Sequence, residues 1–229
     1  MLVAGLVTAA GHRSNGYARS NQCSPGSVSA VINGKHVCLR ARQRCSARFE
    51  RSYNKYGFHC HRGVLWVDPW APFRLRPLHL PVVGPHAACP RTPARQVSPS
   101  WGIALDDGSP PYPLPFPRGL ITYSPSALQK DGWLPHKTIW VAPVDLLGPV
   151  LVRGRQLGGR NVVKFSGYPI QAHSALRLRF SGREFAGGWQ EGQPKGYTLV
   201  RAPGCYGLQV DGEGFSEVLV FEARRVSGK

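Results

Sequence analysis

The sequence predicts a mainly β protein, in which a small disulfide-stapled ββαβ module precedes an antiparallel β-sandwich. Three observations lead there. Gly (27) and Pro (21) make up 48 of the 229 residues, a level that favours short strands and frequent turns over long helices. The C-terminal half alternates apolar and polar positions between closely spaced turn signals. Six cysteines, an even number, lie in loop-rich surroundings, as in disulfide frameworks built in an oxidising compartment.

The chain opens on a short apolar run, Leu2 to Ala10 (LVAGLVTAA), that ends in small residues. It is similar to the h-region and cleavage site of a signal peptide, without a basic segment before it. Residues 1–22 are therefore read as a signal-like remnant followed by a polar, disordered stretch. The expected location is secreted or extracytoplasmic. No run of about 18 apolar residues occurs, so no transmembrane span is expected.

Residues 23–66 form the cysteine-rich module. Ser27–Ile32 and Lys35–Arg40 flank Asn33-Gly34, the preferred dipeptide of a tight hairpin. Gln43 to Tyr56 reads as a helix, with Phe49, Tyr53 and Tyr56 at i, i+4 and i+7 and Gly57 as its stop. Phe58–Val67 reads as one returning strand. So small a unit cannot bury enough apolar surface alone, which calls for staples. One pairing is Cys45–Cys60 with Cys23–Cys38, because the return strand runs back past the helix start. The rival is Cys23–Cys45 with Cys38–Cys60. Parity leaves Cys89 and Cys205 as the third pair in either case. Zinc is disfavoured, because the closest spacing, Cys38 to Cys45, is too wide for a C-x₂₋₄-C knuckle.

The run HVCLRARQRCSARFERSYNKYGFHC resembles a small cysteine module of exported proteins of high-GC Gram-positive bacteria, with the pattern VCLxxxQxC…YxxYGFxC. Val37, Cys38, Leu39, Gln43, Cys45, Tyr53, Tyr56, Gly57, Phe58 and Cys60 match it. Arg42 stands where that module has Gly. The resemblance implies export and brings no activity with it.

Residues 67–118 carry 13 prolines and are expected to be extended and irregular, because proline interrupts helices and strand pairing. Residues 67–84 are the expected linker, semi-rigid and packed along the next domain, with Leu78, Leu80, Val82 and Val83 as a possible edge strand. Asp106-Asp107-Gly108 reads as a turn; it lacks the alternating acids of a calcium loop.

The sandwich domain is placed at 85–229. Its candidate strands are Leu120–Tyr123, Thr138–Ala142, Val150–Arg153, Asn161–Phe165, Ala175–Phe180, Tyr197–Arg201, Cys205–Val210 and Glu217–Ala223. Leu176, Leu178 and Phe180 against Arg177 and Arg179 show the alternation of a strand with one buried face. Gly158-Gly159 and Gly187-Gly188 read as hairpin turns. The stretch RAPGCYGLQVDGEGFSEVLVFEA resembles the last hairpin of bacterial Ig-like domains, on Pro203, Gly204, Tyr206, Leu208, Val210, Asp211-Gly212, Val218 and Val220. GPVLVRGRQLGG resembles an early strand and turn of the same domains. The resemblance implies an Ig-like β-sandwich and, since that fold hosts many functions, no particular activity.

The formal net charge is +17 and the pI about 10.3. Arginines are spread along the whole chain, which also fits a general compositional bias. One concentration stands out: Arg40, Arg42, Arg44, Arg48, Arg51 and Lys55 accompany a single acid, Glu50. These six are the candidate polyanion-binding residues, with an anionic cell-surface polymer favoured over nucleic acid as partner. Tyr53, Tyr56, Phe58 and Trp66 beside them suit stacking on bases or sugars, but their spacing fits a small core better.

No catalytic signature emerges. No carboxylate pair, no G-x-S-x-G and no phosphate-cradling loop is present. Cys60 between His59 and His61 is the sole thiol beside an imidazole, and it is better used in a disulfide. His136 and His173 are isolated. No metal or cofactor is expected. The sequence thus points to an exported, non-catalytic binding or cell-envelope-associated protein. Its alternatives are a polyanion-binding protein gripping through the helix at 43–56, and a hydrolase of unrecognised type.

Overall fold

A computed structural model describes residues 23–84, 87–99, 102–129, 131–166, 172–182 and 195–226. The signal-like segment 1–22 and the Gly187-Gly188 turn lie outside the described residues.

The front module begins with β1 (Val28–Ile32) and β2 (Lys35–Leu39), paired in register from Val28 opposite Leu39 to Ile32 opposite Lys35. Asn33 (φ 51°) and Gly34 (φ 73°) form the turn, both in the left-handed region that this tight hairpin demands. The expected helix over 43–56 shortens to a 3₁₀ turn, Ala47–Phe49, running into α1 (Glu50–Asn54). The reason is backbone competition. The amide of Arg42 donates to Leu65 O at 2.7 Å, that of Leu65 to Gln43 O at 2.8 Å, and that of Cys45 to Gly63 O at 2.9 Å. Residues 42–45 are thus held as an extra strand and cannot wind.

The expected single strand over 58–67 is a second hairpin, β3 (Phe58–His61) and β4 (Val64–Val67). Arg62 (φ 50°) and Gly63 (φ 79°) turn it. The module is therefore ββαββ. Its core gathers Ala30, Ile32, Leu39, Tyr53, Phe58 and Leu65. Disulfides Cys23–Cys38 and Cys45–Cys60 staple it, and the rival pairing is not formed.

The C-terminal part is a two-sheet sandwich. One sheet runs β12 (Leu176–Ser181), β10 (Leu147–Gln156), β14 (Gly204–Gly212), β15 (Phe215–Arg225), β8 (Leu120–Tyr123). The other runs β11 (Lys164–Ser166), β13 (Lys195–Val200), β9 (Leu134–Val141), β7 (Tyr112–Leu114). The pairing is antiparallel, except that β8 lies parallel to β15. Alternate residues of the facing strands fill the space between the sheets, among them Val152, Leu178, Leu208 and Phe221 from one and Trp140 and Phe165 from the other.

The proline-rich middle is more ordered than expected. It contains α2 (Ala71–Arg74) and the hairpin β5 (Ala94–Ser98) with β6 (Gly102–Leu105), besides β7. The prolines occupy permissive places: Pro72 in the first turn of α2, Pro93 just before β5, and Pro113 on the sheet-edge strand β7. No strand forms over 78–83; Leu80 and Val83 instead pack on Leu157 and Val220.

Tyr206 is fully buried, and its hydroxyl donates to Ala202 O at 2.7 Å while accepting from Ala202 N at 3.2 Å. This closure four residues upstream is the tyrosine-corner geometry of Greek-key sandwiches. Burial pushes the phenol's pKa up. Tyr206→Phe is expected to lower unfolding stability by about 1 kcal/mol, read as a shift of the urea midpoint at constant slope.

Candidate functional site

Residues 68–84 lie along the outer face of the five-stranded sheet as a strap. Outside α2 the strap has no regular structure, so its backbone must find partners elsewhere. Gln209 of β14 supplies two: its Oε1 accepts from His79 N at 2.7 Å, and its Nε2 donates to Pro77 O at 3.0 Å. Trp70 Nε1 donates to Leu178 O at 2.9 Å, and Arg76 Nη1 to Phe215 O at 2.8 Å. Downstream, Thr92 Oγ1 accepts from Val220 N at 2.8 Å. Disulfide Cys89–Cys205 fastens the chain beyond the strap to β14. Alternation along β14 directs Cys205 away from the inter-sheet core, as the sequence pattern requires. The polar residues of that outer face, Gln209 and Asp211, are nevertheless fully buried because the strap covers them.

Two carboxylates organise this layer. Asp211 is 0% exposed and receives Arg153 Nη2 at 2.7 Å, Ser216 Oγ at 2.8 Å and Gln209 Nε2 at 3.0 Å, with Arg76 Nη1 at 3.6 Å. Asp68 sits where the front module meets the sandwich. Arg74 donates to it at 2.8 Å; Arg177 of β12 lies at 3.6 Å and His59 Nδ1 at 3.7 Å. Burial alone would raise the Asp68 pKa. The hydrogen bond and charge of Arg74, the charge of Arg177 and the Trp70 amide together outweigh it and hold the carboxyl below its ordinary range.

The six candidate cations are all exposed, and they fall into two groups. Arg40, Arg42 and Arg44 belong to the turn and bridged stretch before the helical turn. Only Arg48, Arg51 and Lys55 lie on or at the end of the helical segment, at i, i+3 and i+7; Arg44, expected on the helix over 43–56, is bridged to Val64 instead. Arg42 and Gln43 both oppose Leu65 as a bulge, with Arg42 at φ 65°. Glycine adopts this left-handed backbone without steric cost, and Arg42 stands in its place at the bulge. Glu50, the module's single acid, turns inward and accepts from Cys60 N at 2.7 Å. Among the described residues no ion pair neutralises any of the six.

Strand geometry sorts the aromatics differently from the sequence reading. Tyr53 and Phe58 are core, and Tyr56 Oη accepts from Val31 N at 3.0 Å. Trp66 is not core: it is 50% exposed. It stands opposite His59, while His61 stands opposite Val64 and Val64 bridges to Arg44. These five share the outer face of the sheet; Cys60 and Leu65 take the inner one. His59 and His61 face no third ligand, and among the described residues no group of three or more His, Cys, Asp or Glu gathers as a metal site would need. His136 Nε2 is bonded to Pro115 O at 2.7 Å.

Two hollows open on the sandwich. One, of about 390 Å³, borders the Cys89–Cys205 bridge and includes Arg91, Glu222 and Arg224. The other, of about 440 Å³, includes Arg76, His79 and Ser216. The Ser216 hydroxyl donates a hydrogen bond to Asp211. Among the described residues no helix is long and apolar enough to cross a membrane.

Comparison with protein-family models, curated proteins and solved structures finds no match to the chain. The functional reading therefore rests on the geometry.

Proposed function

We propose that the chain is an exported, non-catalytic binding protein that attaches to an anionic polymer of the cell envelope through its front module. One observation carries this: Arg40, Arg42, Arg44, Arg48, Arg51 and Lys55 are all exposed, while the only acid of their module, Glu50, is turned inward. Lys35 and Arg62 bring the module's cations to eight against that one acid. Such a surface attracts a polyanion over the range of a Debye length, with little specificity and strong salt dependence. Three disulfides support the exported part, since such bonds persist in oxidising compartments. The reading groups the chain with exported proteins of high-GC Gram-positive bacteria. It treats the sandwich, with its tyrosine corner, as an Ig-like carrier for the front module.

A heparin column tests it. The triple variant Arg44→Ala/Arg48→Ala/Arg51→Ala is expected to elute at clearly lower salt than the wild type. Elution at an unchanged salt concentration sinks the proposal for this face.

A further inference from the structure

An exposed tryptophan on an ordered strand needs an explanation, and the surroundings of Trp66 supply one. The outer face of β3 and β4 carries His59, His61 and Trp66 beside Arg44. That face does not end at the module's border. His59 approaches Asp68, Asp68 pairs with Arg177, and Arg177 lies over the Trp70 ring at 5.7 Å with Arg179 at 5.5 Å. Asp68 is buried beneath this line, with its side chain 4% exposed, and is already neutralised by Arg74. The surface above it is therefore a band of guanidinium and aromatic groups that crosses from the front module to the edge strand β12. The contacts that make it come from three separate parts of the chain: residues 44–66, the strap, and β12.

We infer that this band is a binding site for an acidic polysaccharide, whose sugar rings stack on Trp66 and whose carboxylates pair with Arg44 and Arg179. The inference rests on the anionic-polymer reading above and gives it a chemical class. Each part of the site matches one feature of such a chain. An indole with an open face presents a flat apolar surface to the C–H face of a pyranose, while its rim stays wet. Guanidinium groups pair with carboxylates in a planar, two-point geometry that a diffuse charge cloud does not need. Arg179 is exposed and held by its contact with Trp70, so little side-chain entropy is lost when an anion arrives. Trp70 is engaged by two guanidinium groups and by Leu178 O. One open platform suits a spaced array of sugars and charges; single-stranded nucleic acid is held on several successive platforms.

The test uses the full-length protein, alginate oligosaccharides as the sugar polyanion, and inorganic polyphosphate and oligothymidylate as the others. The variants are Trp66→Ala and Arg179→Ala, both at exposed positions outside the module core. Trp66→Ala is expected to weaken alginate binding about tenfold, one stacking contact's worth, while polyphosphate binding changes less than about twofold. Arg179→Ala is expected to weaken alginate binding more than polyphosphate binding, which loses only the share of one cation. Alginate should also shift the tryptophan fluorescence of the wild type, and that shift should vanish in Trp66→Ala. Equal losses for alginate and polyphosphate, or no loss for either, overturn the inference and leave the basic-face proposal standing. Tight oligothymidylate binding that depends on Trp66 overturns the glycan class. No binding to any of the three polymers removes both readings together.

Discussion

Replacing Cys89 and Cys205 together by alanine is expected to give the largest loss of stability of any change to this protein that leaves its core packing intact. The bond closes a loop of 116 residues. The chain-entropy estimate for a loop of about that length is ~4.7 kcal/mol. For a domain of this size that corresponds to a fall in Tm of roughly 10–20 °C. The folded state should survive, because Gln209, Trp70 and Thr92 still hold the strap and the residues after it. Thermal melts of wild type and variant under non-reducing conditions check it. Since all six cysteines are paired, alkylation of the denatured, unreduced wild type should label none of them. A drop in Tm of only a degree or two would show that the bridge does not constrain the unfolded chain as the loop length requires.

Asp211→Asn is the second. The carboxylate is fully buried, and Arg153, itself largely buried, has its charge balanced by it at 2.7 Å. Removing the negative charge strands Arg153 and weakens Arg76, whose strap segment lies over the same strand. Breaking a buried pair from one side costs about 3–5 kcal/mol. The double variant Arg153→Met/Asp211→Asn should recover a large part of that loss, since it removes the stranded charge and keeps apolar packing. Urea denaturation of the two single variants and the double gives the coupling directly. Additive losses would mean that the pair acts through separate partners.

The strands of the sandwich were legible because one face of each packs against the opposite sheet. Leu176, Leu178 and Phe180 alternate with Arg177 and Arg179, and all eight strands expected after residue 119 form, Leu120–Tyr123 with the expected ends and the other seven with shifted ones. Asn33-Gly34 announced its turn by residue type. Arg62-Gly63 did not, because arginine carries no left-handed preference and a single Gly between Phe58–His61 and Val64–Val67 also fits a continuous strand. The helix over 43–56 had the right spacing, but its first turn was taken by pairing with Leu65, a contact that local periodicity does not encode. Gln209 and Asp211 looked like the wet side of a strand. They are buried only because His79 and Pro77 arrive from about 130 residues upstream. Trp66 shows the converse: it resembled core, yet its hairpin has two faces and only one meets Tyr53 and Leu39. The basic concentration at 40–55 was visible in the composition, whereas its extension to Arg177 and Arg179 depends on the Asp68 junction.

The most direct test of the anionic-polymer reading is the dependence of heparin binding on salt. The dissociation constant of the wild type and of Arg44→Ala/Arg48→Ala/Arg51→Ala is measured across a series of NaCl concentrations. Each cation that displaces a counterion contributes about one to the slope of log K against log salt. A steep slope is expected for the wild type and one shallower by about three for the triple variant. Parallel lines for the two proteins, or a wild-type affinity indifferent to salt, would contradict it.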